Sequence, residues 1–176
     1  ILGVLFNDWF DAHFYNSVVV AVMLILYGVF FILLERRNRR REFSVRNFSQ
    51  LSYPMAFGIG LFQCLALIPG TSRSGATILG AMLLGVSRTV AAEFSFFLSA
   101  PIMFGASLIK VLKFIQSGVG ITTNELMILI VGSVVAFLVS VMAIRFLMGY
   151  VRRHDFTIFG VYRIILGIIV LAYFFL

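Results

Sequence analysis

Long runs without Asp, Glu, Lys or Arg constrain this sequence most strongly. Two of them, from Ala12 to Leu34 and from Leu126 to Ile144, approach the roughly 20 residues that one helical crossing of a bilayer needs. Across the chain 61% of the residues are hydrophobic and 12% are charged. This pattern predicts an all-α polytopic membrane protein and excludes an ordinary water-soluble domain.

The predicted architecture is a single membrane domain over residues 1–176 with about four spanning helices. Two of these helices lie in the runs already named, a third lies within Arg88 to Lys113, and the last is Phe156 to Leu176. The net charge of +7 concentrates in short loops. Such loops face the cytoplasm and contact anionic lipid, so we interpret the charge as a topological signal and expect no nucleic-acid partner.

Two basic loops set the predicted orientation. The segment from Glu35 to Arg46 holds six arginines, and the segment Arg152 to His154 holds two more basic residues beside its histidine. Both are therefore placed in the cytoplasm. The stretch from Asn7 to Asn16, which contains Trp9, is expected to lie at the membrane interface.

A polar segment interrupts the hydrophobic sequence at Pro69-Gly70-Thr71-Ser72-Arg73-Ser74-Gly75-Ala76-Thr77. Arg73 is the only charged residue between Asn47 and Ser87. A charged side chain inside a membrane is costly and by default marks a functional site with a counter-ion. No carboxylate lies near Arg73 in the sequence.

The residues around Arg73 favour an anionic counter-ion. Pro69 and Gly70 break a helix, and either Ser72 or Ser74 can cap the helix that follows. The free N–H groups at such a helix start and a guanidinium both suit phosphate. With a helix beginning near Ser72, the residues Arg73, Ser74 and Thr77 share one face. We therefore expect a phosphate site at membrane depth.

The helices on either side of this break are predicted to form a re-entrant pair over about residues 51–85. The apolar interval from Ser74 to Gly85 is too short to cross a hydrocarbon core of about 30 Å. A pair that enters and leaves by one face resolves this difficulty. Small residues four apart, Ala76 with Gly80 and Ala81 with Gly85, favour close packing of the pair.

Three other interpretations of the polar segment fit the sequence less well. A phosphate-binding P-loop requires a Lys after its second glycine, but Ala76 follows Gly75. A nucleophile elbow requires Gly-x-Ser-x-Gly, and the sequence from Gly70 ends in Ser74 instead. A kinked hairpin whose hydroxyls only satisfy backbone groups is common in membranes, but it leaves Arg73 unexplained.

Two further charged residues lie inside predicted helices. Glu93 has two open roles: pairing with Arg88 near the interface, which we favour, or reaching the surroundings of Arg73. Arg163 also requires an anion, which is either a second phosphate of the ligand or a carboxylate elsewhere.

The sequence resembles a known family along its whole length. Gln63-Cys64-Leu65-Ala66-Leu67-Ile68 leads into the polar segment, and Gly85-Val86-Ser87-Arg88, Glu93-Phe94-Ser95-Phe96 and Tyr162-Arg163 follow at similar spacing. These residues resemble the second motif region of the undecaprenyl-diphosphate phosphatases of the bacitracin-resistance type. The resemblance implies removal of the terminal phosphate of undecaprenyl diphosphate, a multi-pass protein of the bacterial plasma membrane with a site open to the periplasmic face, and an inverted-repeat fold.

One part of the family pattern is missing. The family's first motif, rich in Glu and followed by Pro, Ser-Ser and His, does not occur here, so we expect a C-terminal portion of a longer protein. This leaves the activity of the chain alone open. The resemblance also implies a divalent cation, Mg²⁺ or Ca²⁺, whose ligands would lie outside this chain, and we assign no metal ligand within it.

The expected site is assigned as follows. Catalytic roles fall to Arg73, Ser72 and Ser74, and substrate contacts to Gly70, Thr71, Gly75, Thr77, Arg163, Gln63 and Glu93. The expected partners are a prenyl diphosphate lipid and the bilayer, while a homodimer and the identity of the nucleophile are left open. The rival functions are a lipid-phosphate transporter or flippase that binds the headgroup without cutting it, and a membrane scaffold without a ligand.

Overall fold

A computed structural model describes residues 16–39, 42–118 and 120–175. The described chain is helical and contains α1 (Ser17–Asn38), α2 (Tyr53–Gln63), α3 (Arg73–Leu83), α4 (Arg88–Gln116), α5 (Thr123–Arg153) and α6 (Thr157–Phe175). The four helices α1, α4, α5 and α6 are long and apolar enough to cross a membrane. This confirms the all-α class and the expected number of spanning helices. The predicted interfacial stretch before Asn16 lies outside the described residues.

The two short helices, α2 and α3, do not span a bilayer. Each has 11 residues, which corresponds to about 16 Å of helix. The loop after α1 pairs with the loop after α3, since Ser44 N–H donates to Gly85 O at 2.9 Å and Ser87 N–H donates to Val45 O at 2.9 Å. The α2–α3 pair therefore begins and ends at the same end of the molecule. A re-entrant path through the membrane and an inverted repeat stay predictions.

Helices α1 and α6 pack closely through glycines. A Cβ atom added at Gly28 would lie 2.7 Å from the carbonyl oxygen of Gly160, and one added at Gly160 would lie 2.7 Å from that of Gly28. At Gly167 the added atom would lie 2.8 Å from Ala21 O. Small residues that let backbones approach are the usual means by which membrane helices associate. This contact fixes α6, and with it Arg163, against α1.

Ion pairs join the elements at the end of α1 that carries the basic loops. Glu35 is fully buried and pairs with Arg88 at the start of α4. Arg39 pairs with Asp155, in the loop between α5 and α6, at 2.8 Å. The hydrogen bond from Arg39 lowers the pKa of the Asp155 carboxyl below its ordinary value. The two basic segments therefore lie at one end of the molecule, as their charge predicts, but they are not wholly loops. Arg36 and Arg37 belong to the last turn of α1, and Arg152 and Arg153 belong to the last turn of α5.

Candidate functional site

The break between α2 and α3 brings the backbone against α1. Gly70 has a φ of 87°, a left-handed conformation that side chains disfavour. A Cβ atom at Gly70 would also lie 2.6 Å from the carbonyl oxygen of Val20. The turn therefore requires glycine for both its conformation and its close approach to α1.

Ser72 is the residue that caps α3. Its side-chain oxygen accepts a hydrogen bond from Gly75 N–H at 3.1 Å, and its Oγ lies 3.1 Å from that of Ser74. The helix begins at Arg73, so the N–H groups of Arg73 and Ser74 precede the first helical hydrogen bond. The sequence left Ser72 and Ser74 open as caps, and the structure selects Ser72. The helix start and its positive dipole end are thus exposed beside two hydroxyl groups.

Arg73 and Thr77 differ in their surroundings. The Arg73 side chain is exposed, and it forms no ion pair with any residue that the structure describes. Thr77 is buried, and its hydroxyl donates to the Arg73 carbonyl oxygen at 2.8 Å. Thr77 therefore supports the first turn of α3 from within, and its predicted contact with a substrate stays a prediction.

Arg163 comes to the same helix start from α6. A Cβ atom at Gly75 would lie 3.3 Å from Arg163 Nη2 and 3.4 Å from Nη1. The guanidinium lies over the ring of Phe31 at 5.7 Å from its centroid. Its buried Nη1 has no hydrogen-bond partner among the described residues, and no described carboxylate pairs with it. Arg73 thus begins α3, and Arg163 lies against Gly75 in the same first turn.

Two more polar groups lie beside this turn. Thr71 is only 8% exposed, and its Oγ1 has no partner among the described residues. Tyr27 of α1 lies near both Thr71 and Arg163. Thr71 was predicted from the sequence, but Tyr27 was not, because it lies within an unbroken apolar run. No sequence signal distinguishes this tyrosine from a lipid-facing one.

No described side-chain contact joins Gln63 or Glu93 to this cluster. Gln63 ends α2 and is half-buried. Glu93 lies 3.7 Å from Arg152 at the end of α5, and Arg88 pairs with Glu35 instead. The expectation that Glu93 pairs with Arg88 is therefore wrong. The two residues are five apart on one helix, whereas only residues three or four apart face each other.

The donor set of the described residues does not fit a divalent cation. The start of α3 presents hydroxyls and two guanidinium groups, while Mg²⁺ and Ca²⁺ prefer carboxylate and carbonyl oxygens. No group of three or more His, Cys, Asp or Glu side chains occurs within the described part of the chain. The charge of the site favours an anionic group.

Four long apolar helices, together with a short, broken helix pair whose second helix begins at an arginine, define a multi-pass membrane protein with a cationic candidate site. Its sequence matches the family profile of the bacitracin resistance protein BacA over residues 1–169. The chain belongs to this family.

The chain is also similar to curated bacterial proteins. It is 60% identical over 176 residues to undecaprenyl-diphosphatase 1 of Clostridioides difficile (strain 630), covering 100% of the chain and 62% of that relative. It is 61% identical over 173 residues to the undecaprenyl-diphosphatase of Streptococcus mutans serotype c, covering 98% of the chain and 62% of the relative. It is 59% identical over 175 residues to the undecaprenyl-diphosphatase of Desulfitobacterium hafniense, covering 99% of the chain and 62% of the relative. The chain spans about three fifths of the length of these relatives.

Proposed function

We propose that the full-length protein removes the terminal phosphate of undecaprenyl diphosphate and leaves undecaprenyl phosphate. This reaction would recycle the lipid carrier for cell-wall synthesis and confer bacitracin resistance. The observation that carries the proposal is the shared name of relatives that are about 60% identical to the whole chain. The cationic start of α3 supports it, with Arg73 as its first residue and Arg163 beside Gly75. A diphosphate is an anion that such groups can neutralise.

In this proposal the headgroup lies at the capped start of α3. Arg73, Ser72 and Ser74 contact the transferred phosphoryl group and stabilise the charge that develops on it, which is the main protein contribution to phosphoryl transfer. Arg163 holds the phosphate that remains on the lipid, beside Gly75. The backbone at Gly70 and Thr71 shapes the approach to this position.

The attacking group and its base are not assigned. The Ser72 oxygen is engaged as the cap of α3 and contacts Ser74, so both a serine hydroxyl and a water molecule remain candidates for the attack. The acids and histidine that the family resemblance implies, together with a divalent cation, would come from outside the described residues. No step is derived through a metal.

We also place the protein in the bacterial plasma membrane with its site reached from the outer face. The two basic loops at one end support this orientation, since basic loops stay in the cytoplasm. The start of α3 lies one helix of 11 residues away from that end. A homodimer remains an open expectation.

The decisive experiment separates hydrolysis from binding. The full-length protein, purified in detergent, is incubated with undecaprenyl diphosphate, and both released phosphate and bound lipid are measured. We expect phosphate release with the monophosphate lipid as the second product. Lipid binding without phosphate release would instead indicate a carrier, and neither signal would indicate a scaffold. A preparation from membranes that lack the protein serves as the control.

A further inference from the structure

One cavity continues from the start of α3 into apolar surroundings. Its polar end is formed by Ser74, Gly75 and Arg163. Apart from Ser95, the rest of its wall is apolar and largely aromatic, and its volume is about 150 Å³. The residues that form most of this apolar part, which we name the tail chamber, are Phe31, Ile78, Phe96, Leu147, Phe156 and Phe159. A cavity with one cationic end and one apolar end fits an anionic amphiphile.

The direction of this cavity is fixed by the fold. Helix α3 runs from Arg73 to the loop at Gly85, which pairs with the loop after α1. Phe156 lies at that same end, where its N–H donates to buried Glu35 at 3.5 Å. The apolar part therefore points toward the basic loops and the cationic part points away from them. A lipid bound in this way is oriented as in the leaflet opposite the basic loops.

We propose that the tail chamber holds the isoprene unit next to the diphosphate, so that the protein recognises the proximal tail of its substrate as well as its headgroup. This inference rests on the proposed function and adds a specificity site to it. The volume equals about five water molecules at about 30 Å³ each, which is enough for the first part of a long tail. The remainder of the tail leaves between the helices.

The tail chamber contributes by fixing the position of the lipid tail and adds little hydrophobic binding free energy. The tail reaches it from lipid, which is as apolar as the chamber, so little is gained by transfer alone. A tail that is held at a fixed place aligns the diphosphate with Arg163 and the start of α3. Misplacement of a substrate by about 1 Å can reduce the rate by about a hundredfold. Filling the chamber is therefore expected to impair prenyl substrates selectively.

A second cavity provides the alternative location. It has a volume of about 180 Å³ and lies on the other side of α3, where Phe30, Phe62, Leu65 and Leu79 line it. Ser74, Gly75 and Arg163 do not line this second cavity. It therefore lacks the cationic end that would place a tail relative to a diphosphate.

Photocrosslinking tests the location without any substitution. The full-length protein is irradiated with a farnesyl diphosphate analogue that carries a diazirine on the isoprene unit next to the diphosphate. We expect adducts on Phe96, Leu147 or Phe159, mapped by mass spectrometry. Adducts confined to Phe30, Phe62 or Leu65 would overturn the inference and assign the tail to the second cavity.

A matched pair of substitutions on α4 tests the consequence. Ala92 is 3% exposed and lines the tail chamber, whereas Ala100 is exposed on the same helix. We expect Ala92→Leu to lower kcat/KM for a prenyl diphosphate by about tenfold or more, with an unchanged inhibition constant for inorganic diphosphate. Ala100→Leu should leave both values unchanged.

The outcomes separate this inference from the proposed function. A folded Ala92→Leu protein with normal kcat/KM would overturn the tail chamber, and if this variant fails to fold, the crosslinking result decides. Wild-type protein that releases no phosphate from a prenyl diphosphate would contradict the proposed function itself. Phosphate release together with adducts outside the chamber would contradict only the present inference.

Discussion

At the scale of single residues, the two arginines beside α3 offer different chemistry. Arg73 is exposed at the helix start, while Arg163 is packed over Phe31 and against Gly75. A guanidinium held by an aromatic face presents its planar fork in a fixed direction, and such a fork suits two phosphate oxygens at once. Arg163 is therefore suited to fix the orientation of a diphosphate.

Replacing Arg163 by Lys tests this role. The substitution keeps the positive charge but removes the planar fork. We expect KM for undecaprenyl diphosphate to rise by about tenfold, which corresponds to about 1.4 kcal/mol of binding free energy, with the melting temperature nearly unchanged. Arg145→Lys, at an exposed position of α5, is the matched control. Equal KM values for the two variants would contradict the assignment.

The sequence identified some of these residues and missed others for physical reasons. Arg73 was found because a lone charge in an apolar sequence has few structural explanations. Tyr27 was missed because a tyrosine in a spanning helix is equally compatible with a lipid contact. The predicted partner of Arg88, Glu93, was wrong because helix spacing identifies partners only within one helix. Glu35 contacts Arg88 from a different helix.

At the scale of helices, the position of Arg163 depends on the close contact between α1 and α6. Gly28 and Gly160 approach so closely that an added Cβ atom on either would lie 2.7 Å from the other's carbonyl oxygen. Backbone atoms cannot move away as the end of a flexible side chain can. A side chain at either glycine would therefore push the two helices apart.

Gly160→Ala measures this contact. Overpacking typically costs about 1–3 kcal/mol, so we expect a lower melting temperature in detergent and reduced phosphate release because Arg163 is displaced. Gly132→Ala in α5 is the control, because no atom lies within 4 Å of the added Cβ. There, alanine should be neutral or stabilise the helix by up to about 1 kcal/mol. Similar melting temperatures for the two variants would show that the α1–α6 contact is looser than described.

The helices themselves were predictable, but α5 continues to Arg153, nine residues past the uncharged run that ends at Ile144. The contacts between the helices were not predictable. Uncharged length located α1 and α5, and the short interval after Ser74 correctly excluded a spanning α3. Small-residue spacing in α3 agrees with the close approach of Phe62, which would lie 2.5 Å from a Cβ atom at Gly80. The glycine contact between α1 and α6 has no such local pattern, since its members come from opposite ends of the chain.

At the scale of the whole molecule, one buried ion pair joins α1 to α4. Glu35 is fully buried and pairs with Arg88, and its second oxygen accepts the N–H of Phe156. Three elements distant in sequence thus meet at one carboxylate. Phe156 also lines the tail chamber, so this end of the molecule borders the chamber.

Removing one partner of this ion pair should lower the stability of the whole protein and not only disturb the local structure. Arg88→Met leaves the Glu35 carboxylate buried without a partner, which typically costs about 3–5 kcal/mol. We expect a large fall in melting temperature that the second substitution Glu35→Gln partly restores. Arg39→Met, in an exposed pair at the same end, should have a small effect. A mild effect of Arg88→Met would mean that the pair does not hold this end together.

The proposed function depends on a lipid diphosphate being bound and cleaved at the cationic start of α3. The most direct measurement is phosphate release from undecaprenyl diphosphate by full-length Arg73→Lys protein beside the wild type, with melting temperatures recorded for both. We expect kcat to fall by about a hundredfold or more, as for the loss of a group that stabilises transition-state charge, while the fold stays intact. Wild-type turnover by the folded variant would contradict the account.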